Sequence, residues 1–295
     1  MKDEFGIKPT HWKDYELIDC GNLSKLERFG NITLIRPEPQ ALWSPRYARK
    51  DWEQKASGEY IQKGSHKGDW KSFRKLPEHW NISYQLPEKN RITFNLKFTA
   101  FKHVGIFPEQ ADNWDFIYHQ SSQIGKGCKV LNLFAYTGGA SLAAKAAGAD
   151  VVHVDSVRQV VNWARQNMDS SGLTDIRWVV EDALKFVQRE RKRGHTYHGI
   201  ILDPPAYGIG SSGERWKLED SIQSMLENVA SILDPKRGFV VLNTYSLGLS
   251  PLIIDNLMQS NFNTISSLEC SEIYLPSVSN YKLPLGVVGR LIRQA

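Results

Sequence analysis

KVLNLFAYTGGASLAAKAAGADVVHVD, residues 129–155, is the stretch whose reading decides the fold. Val130, Leu131, Leu133 and Phe134 make an apolar run too short for a helix, and Thr137-Gly138-Gly139 breaks it. An alanine-rich pattern from Ala140 to Ala147 then predicts a helix, stopped at Gly148, where a left-handed residue is commonly needed. Val151 to Val154 follow as a second continuous apolar run ending on Asp155, as expected for a parallel strand buried on both faces. The order is strand, turn, helix, strand: a βαβ unit of the nucleotide-binding kind.

Ligands of open parallel sheets bind outside the carboxyl ends of the strands, where a glycine turn lets them approach the backbone. Asp155 would then meet ribose hydroxyls. The G-x-G-x-x-G of a dinucleotide site is absent: only Gly138 and Gly139 are present, and Ala135-Tyr136-Thr137 opens the turn. With little sign of a pyrophosphate cradle, a nucleoside without phosphate fits better, and S-adenosylmethionine is the common one. A unit that binds NAD, or nothing, is the alternative.

The rest of the chain bounds these readings. Its 295 residues suffice for one large domain and a smaller one, and 41% hydrophobic content supplies a core. Met1 to Phe5 lacks a signal pattern and no apolar run is long enough to span a bilayer, so a cytoplasmic protein is expected. Cys20, Cys128 and Cys270 lie far apart without metal-ligand spacing, which reads as reduced thiols and no metal site. The net charge of +5 is unevenly placed. Trp43 to Trp80 holds nine basic against five acidic side chains.

Residues 1–80 are polar and aromatic, with strand-like pieces at Tyr15 to Asp19 and Ile32 to Arg36, and predict a small β-rich domain. In WSPRYARKDW and GDWKSFRKLPEHW aromatic and basic residues interleave, a pattern suited to phosphates and stacked bases. It suits equally a solvated loop whose tryptophans anchor it to the core. Alternation from Ile82 to Thr99 predicts a half-buried strand at the join, and residues 81–295 form the larger domain. A helix is expected over Ala111 to Ile124, with Glu109 and Gln110 placed either to cap it or to face the cofactor. Beyond Asp155 helices and strands keep alternating, the pattern of a doubly wound sheet. The helices are expected over 157–170, 183–193, 216–233 and 251–260; the strands over 176–180, 199–202, 239–243, 265–273 and 286–292.

Two further strand ends point to the same crevice. Glu181-Asp182-Ala183 follows the third strand, where a carboxylate can accept from an adenine amine, although Asp182 is also a favoured helix N-cap. Asp203-Pro204-Pro205-Ala206-Tyr207 follows the fourth. Its prolines fix φ and remove two donors, leaving carbonyls and the Asp203 carboxylate as rigid acceptors aimed at an amino or ring nitrogen. The alternative is a plain tight turn. The glycine-rich loop from Gly208 to Gly213 either closes over a substrate or is surface.

Together LNLFAYTGGASLAA, VDSV, EDA, DPPAYG and the upstream VGIFPEQ resemble the class I S-adenosylmethionine-dependent methyltransferases, and more narrowly the bacterial 23S ribosomal RNA large-subunit methyltransferases. The resemblance covers residues 81–295. It implies a mostly parallel, seven-stranded, Rossmann-like α/β sheet with the small β-rich domain before it. It also implies that Phe107, Gln110, Phe134, Ala135, Tyr136, Thr137, Gly138, Asp155, Ser156, Asp182, Ala183 and Asp203 line the cofactor site. Asp203, Pro204 and Tyr207 would face the methyl acceptor. Two departures stand out. The N-terminal section does not look like the RNA-binding module of the cytosine-modifying members. Nor is there a cysteine in Asn243-Thr244-Tyr245-Ser246-Leu247-Gly248, where those members carry a nucleophile. Carbon 5 of cytosine needs a thiolate on carbon 6, so a nitrogen acceptor is preferred to 5-methylcytosine.

The sequence therefore reads as a methyltransferase that uses S-adenosylmethionine on a base of ribosomal or other structured RNA. The rival readings are a protein or small-molecule acceptor, and an RNA-binding assembly factor that keeps the pocket without turnover. The oligomeric state is open.

Overall fold

In the computed structural model, residues 2–64, 67–209, 213, 215–245 and 248–294 are described. The N-terminal section forms strands β1 Tyr15–Gly21, β2 Ser24–Phe29 and β3 Ile32–Pro37, helix α1 Arg49–Lys55, and strands β4 Gly58–Lys63 and β5 Lys67–Ser72. These strands make one sheet in the order β1-β2-β3-β4-β5. On β2, Lys25, Glu27 and Phe29 alternate onto a buried face, an unusual place for two charges unless they are paired. The alternation after Ile82 yields a hairpin instead of the expected single strand: β6 His79–Gln85 pairs antiparallel with β7 Arg91–Lys97. Pro87 to Lys89 turn the chain, with left-handed backbone at Glu88 and Lys89.

The larger part contains α2 Ala111–Ile124, β8 Lys129–Leu133, α3 Gly139–Ala146, β9 Asp150–Asp155, α4 Arg158–Ser170, β10 Ile176–Val180, α5 Ala183–Lys192 and β11 Gly199–Leu202. A small hairpin, β12 Tyr207–Ile209 with β13 Arg215–Lys217, precedes α6 Leu218–Ile232, β14 Arg237–Thr244, α7 Pro251–Asn261, β15 Ser267–Pro276 and β16 Lys282–Gln294. Trp216, expected at the start of a helix, belongs to β13, and the closing strands are longer than the apolar runs suggested. Among the described residues, seven strands form one sheet in the order β10-β9-β8-β11-β14-β16-β15. β10, β9, β8, β11 and β14 are parallel, and β16 runs antiparallel to both neighbours. This is the expected doubly wound α/β sheet. The order reverses between β8 and β11, so the carboxyl ends of these strands open a crevice there.

The N-terminal sheet packs onto the β15–β16 end. Leu17 bridges Ser277, Ser279 Oγ donates to Asp19 Oδ1 at 2.6 Å, and Trp43 tilts on Tyr281. Leu17, Phe29 and Leu34 share one apolar cluster with Ile82, Phe94, Val130 and Leu283. Burial of that shared face at roughly 25 cal/mol per Å² holds the charged β2 and β3 surface over the crevice.

Candidate active site

The turn after β8 is strained and held from several sides. Phe134 and Tyr136 adopt left-handed backbone at φ 54° and 48°, costing roughly 1–3 kcal/mol each for such residues. Tyr136 N donates to Asp155 Oδ2 at 3.0 Å and Ala135 N to Val154 O at 3.1 Å, which ties the turn to β9. The Phe134 ring lies against Trp216, and Tyr136 against Phe107. Gly138, at φ 91°, then opens α3, and a Cβ there would stand 3.2 Å from Ala164 Cβ. The Thr137 hydroxyl is turned away, donating to Gly105 O at 2.8 Å.

Asp155 ends β9 with Oδ1 accepting from Val157 N at 2.9 Å and Oδ2 from Tyr136 N. Each oxygen keeps a second lone pair for a ligand hydroxyl. Burial raises this carboxyl, and the two backbone donors partly offset the rise. Asp182 does cap its helix, accepting from Lys185 N at 2.9 Å, yet it lines the same cavity. Glu181 is taken by a two-pronged pair with Arg189.

Gln110 is oriented by a polar relay. Arg290 has only donors, and it gives two to Asn113 Oδ1, at 2.9 and 2.6 Å. Asn113 must therefore point its amide nitrogen the other way, and it donates to Gln110 Oε1 at 2.8 Å. Gln110 is left presenting its own NH2 to the cavity.

At the end of β11 the acceptor set is smaller than the sequence suggests. Trp216 Nε1 donates to Pro205 O at 2.7 Å and Leu218 N to Ala206 O at 3.0 Å, so both carbonyls belong to the scaffold. The Asp203 carboxylate and the Pro204 carbonyl remain. Asn243, ending β14, donates Nδ2 to Asp203 Oδ1 at 2.6 Å, and its own buried Oδ1 has no partner among the described residues. Burial pushes the Asp203 carboxyl up to about 6, with the Asn243 bond acting against it. A buried acceptor without a donor is costly unless a ligand supplies one. Asp203 and Asn243 can together receive the hydrogens of an amine. Tyr207, 58% exposed, stands beside them on β12. The glycine-rich loop reading falls mainly on residues 210–212, which lie outside the described residues, as do Ser246 and Leu247.

All these groups surround one cavity of about 630 Å³ and a small adjoining one of about 50 Å³. Phe107, Gln110, Phe134, Tyr136 and Asp203 line both. Asp155, Ser156, Asp182, Ala183, Pro204 and Tyr207 line the larger; Ala135, Thr137 and Gly138 line the smaller. A volume of this order suits a drug-sized ligand with space beside it. Residues that sequence reasoning left aside also line the larger cavity. Asn243 could have been found by extending the strand-end rule to the fifth strand. Lys25, Arg36 and Glu38 reach it from the N-terminal sheet, and no local pattern announces them. Their charges are interlocked: Arg36 meets Glu27 at 2.7 Å, Lys25 meets Glu38 at 3.2 Å, and Tyr245 Oη donates to Glu38 Oε1 at 2.8 Å.

Three of the four tryptophans of the basic aromatic stretch are anchored through the indole N–H, and Trp80, whose Nε1 has no partner among the described residues, packs on Phe98. Trp52 donates to Asp19 Oδ2, Trp43 to Cys20 O and Trp70 to Thr99 O, each at 2.9 to 3.0 Å. Lys63, Lys67, Lys71, Arg74 and Lys75 stay exposed around that scaffold. Burial holds the three thiols well above the ordinary range, at about 12, 11 and 12 for Cys20, Cys128 and Cys270, and none lines the cavity. Among the described residues no cluster of His, Cys, Asp and Glu is arranged to hold a metal. No described helix is long and apolar enough to cross a membrane.

The sequence profile of the S-adenosylmethionine-dependent methyltransferases matches residues 59–255. A crystal structure of a SAM-dependent methyltransferase from Agrobacterium tumefaciens superposes with a TM-score of 0.89 and 35% identity, covering 100% of both chains. Among curated proteins, a ribosomal RNA large subunit methyltransferase K/L of Shewanella frigidimarina is 27% identical over 54% of this chain and 22% of its own length. A ribosomal RNA large subunit methyltransferase I of Shewanella denitrificans is 33% identical over 42% of this chain and 31% of its own. The chain thus spans less than a third of the length of either curated relative.

Proposed function

The chain belongs to the S-adenosylmethionine-dependent methyltransferase family, and from that premise we propose that it methylates a nitrogen on a base of structured RNA, ribosomal RNA first among candidates. The observation that carries the acceptor half is the Asp203–Asn243 pair, with its orphaned, buried Asn243 Oδ1 beside the free Pro204 carbonyl. Three acceptors at the ends of two adjacent strands call for a group rich in N–H. The curated relatives of both named kinds act, by name, on ribosomal RNA, and the exposed lysines and arginine of residues 63–75 suit phosphate contacts.

The cavity fits the cofactor. Asp155 retains one lone pair on each oxygen for the ribose hydroxyls, Asp182 and Ala183 stand at the adenine end, and Gln110 offers its NH2 to the amino-acid end. S-adenosylmethionine supplies an electrophilic methyl group on a sulfonium. The protein's part is placement: Asp203 and Asn243 hold the hydrogens of the acceptor nitrogen, Tyr207 offers a ring face to the base, and the surrounding wall excludes water. A new N–C bond forms as S–C breaks, and the nitrogen gives up a proton to the Asp203 carboxylate or to water. With no thiol in the cavity, attack from carbon 5 of cytosine has no activating nucleophile. We assign residues 1–80 to acceptor recognition and 81–295 to catalysis, in a cytoplasmic enzyme.

The test is transfer of radiolabelled methyl from S-adenosylmethionine to RNA from a strain lacking the protein, followed by nucleoside analysis. Label in one N-methylated nucleoside supports the reading. Label in 5-methylcytosine would overturn the nitrogen acceptor, and no label with cofactor binding intact would move the acceptor to a protein or small molecule.

A further inference from the structure

The wall that the N-terminal sheet turns toward the cavity carries one cation more than its carboxylates neutralise. Arg36 is spent on Glu27 and, through Nη1, on Lys102 O at 3.1 Å. Lys25 lies 3.6 Å from Glu27 and 3.2 Å from Glu38. Glu27 also accepts from Tyr15, and Glu38 from Tyr245. Two carboxylates thus serve two cations. Lys102 is left with a single contact, Nζ to Pro37 O at 3.3 Å, and no carboxylate partner among the described residues. Its side chain lines the cavity.

The same charges bear on the neighbouring titratable groups. Burial pushes His103, beside Lys102, down to about 3, and the charges of Arg36, Lys102 and Lys25 press the same way. Burial also lowers Lys102 itself, by more than the charge of nearby Glu38 raises it, as for an ammonium that has lost water without gaining a carboxylate in direct contact. Glu109, the remaining carboxyl on this side, is pushed up to about 7 by burial, so near neutrality it is only partly charged. A desolvated, unpaired ammonium is costly to keep and is retained where a ligand anion completes it.

We propose that Lys102, with Lys25 beside it, forms an oxyanion subsite at the junction of the N-terminal sheet and the catalytic crevice. Its ligand is a phosphate or carboxylate group. Two sources share that chemistry: the acceptor, through the phosphate of the nucleotide carrying the target base, and the cofactor, through its amino-acid carboxylate. The geometry favours the acceptor. Lys102 is tethered to Pro37, next to Glu38, which Tyr245 holds from the end of β14, whereas Gln110 already presents a donor on the cofactor side. This inference rests on the cofactor reading of the cavity.

Calorimetry with inorganic phosphate as probe tests it, using the full chain unliganded, loaded with S-adenosylhomocysteine, or loaded with 5′-methylthioadenosine, which lacks the amino-acid end. The expected result is phosphate binding to both loaded forms, at least tenfold weaker in Lys102→Met. Binding to the methylthioadenosine form but not the homocysteine form would keep the subsite and give it to the cofactor's carboxylate. Equal phosphate binding by wild type and Lys102→Met, or none by wild type in any form, would overturn the subsite. Failure of S-adenosylhomocysteine to bind would overturn the cofactor reading instead, and the unliganded titration would still decide the subsite. Removing a half-buried cation that has no carboxylate in contact should leave the melting temperature of Lys102→Met at or above that of wild type. If that variant fails to fold, Lys102→Gln replaces it in the same titrations.

Discussion

Replacing Asp155 by asparagine keeps the side-chain volume while changing one of two oxygens into a donor. In the native site both oxygens are engaged by backbone, Oδ1 with Val157 N and Oδ2 with Tyr136 N, and each has one lone pair left for a ribose hydroxyl. The amide can serve only one side. It forfeits one charge-assisted hydrogen bond to the ligand, of about 1.5–3 kcal/mol, so cofactor affinity should fall roughly 10- to 150-fold. The other side faces Tyr136 N–H, which loses its acceptor at a position already strained at φ 48°. A separate cost to the fold of about 1–3 kcal/mol is therefore expected. Calorimetric titration of S-adenosylhomocysteine measures the first effect, and denaturant unfolding of the unliganded variant measures the second. Affinity within threefold of wild type, in a variant that unfolds as described, would refute the assignment of Asp155 to the ribose.

Four further outcomes follow from the same geometry. Since Asp203 must be ionised to receive amine hydrogens and burial holds it at about 6, kcat/KM should fall as pH drops below about 6; a profile of Asp203→Asn that retained that limb would count against it. The same raised pKa makes the folded state bind the extra proton, so stability is lost as pH rises from about 4 to about 6, and Asp203→Asn should recover on the order of 1–3 kcal/mol above that window in denaturant titrations. Asn113→Asp still accepts from Arg290 but cannot donate to Gln110, so S-adenosylhomocysteine should bind about three- to tenfold more weakly while 5′-methylthioadenosine is unaffected; equal losses for both ligands would show the relay to be merely structural. Gly138→Ala places a Cβ at φ 91° and should cost about 1–2 kcal/mol of stability, checked by chemical denaturation.

The parts legible in the sequence are those with a local signal. Val130 to Leu133 and Val151 to Val154 declare buried parallel strands through runs that are apolar but for Asn132 and His153, whereas Phe134, apolar as well, turns out of its strand; the carboxylate at the end of the second run follows from topology alone. Asp182 shows the limit: N-cap and cavity wall are the same position, and sequence cannot separate two roles that one oxygen each can fill. The Asp203-Pro204-Pro205 segment was legible as an acceptor turn, but the use of Pro205 and Ala206 carbonyls depends on Trp216 and Leu218 returning from the β12–β13 hairpin. Lys25, Arg36, Glu38 and Lys102 were illegible because their meaning comes from docking one sheet on another. The interleaved tryptophans misdirect for a related reason: a half-buried indole with a carbonyl partner has the same one-letter pattern as one free to stack.

The most direct test of the account is a crystal structure with S-adenosylhomocysteine. The account predicts the ribose on Asp155, the adenine toward Asp182 and Ala183, the amino-acid end within reach of Gln110, and the sulfur facing Asp203 and Pro204 with open space toward Lys102. A ligand with its ribose away from Asp155, or its sulfur turned from Asp203, would contradict it.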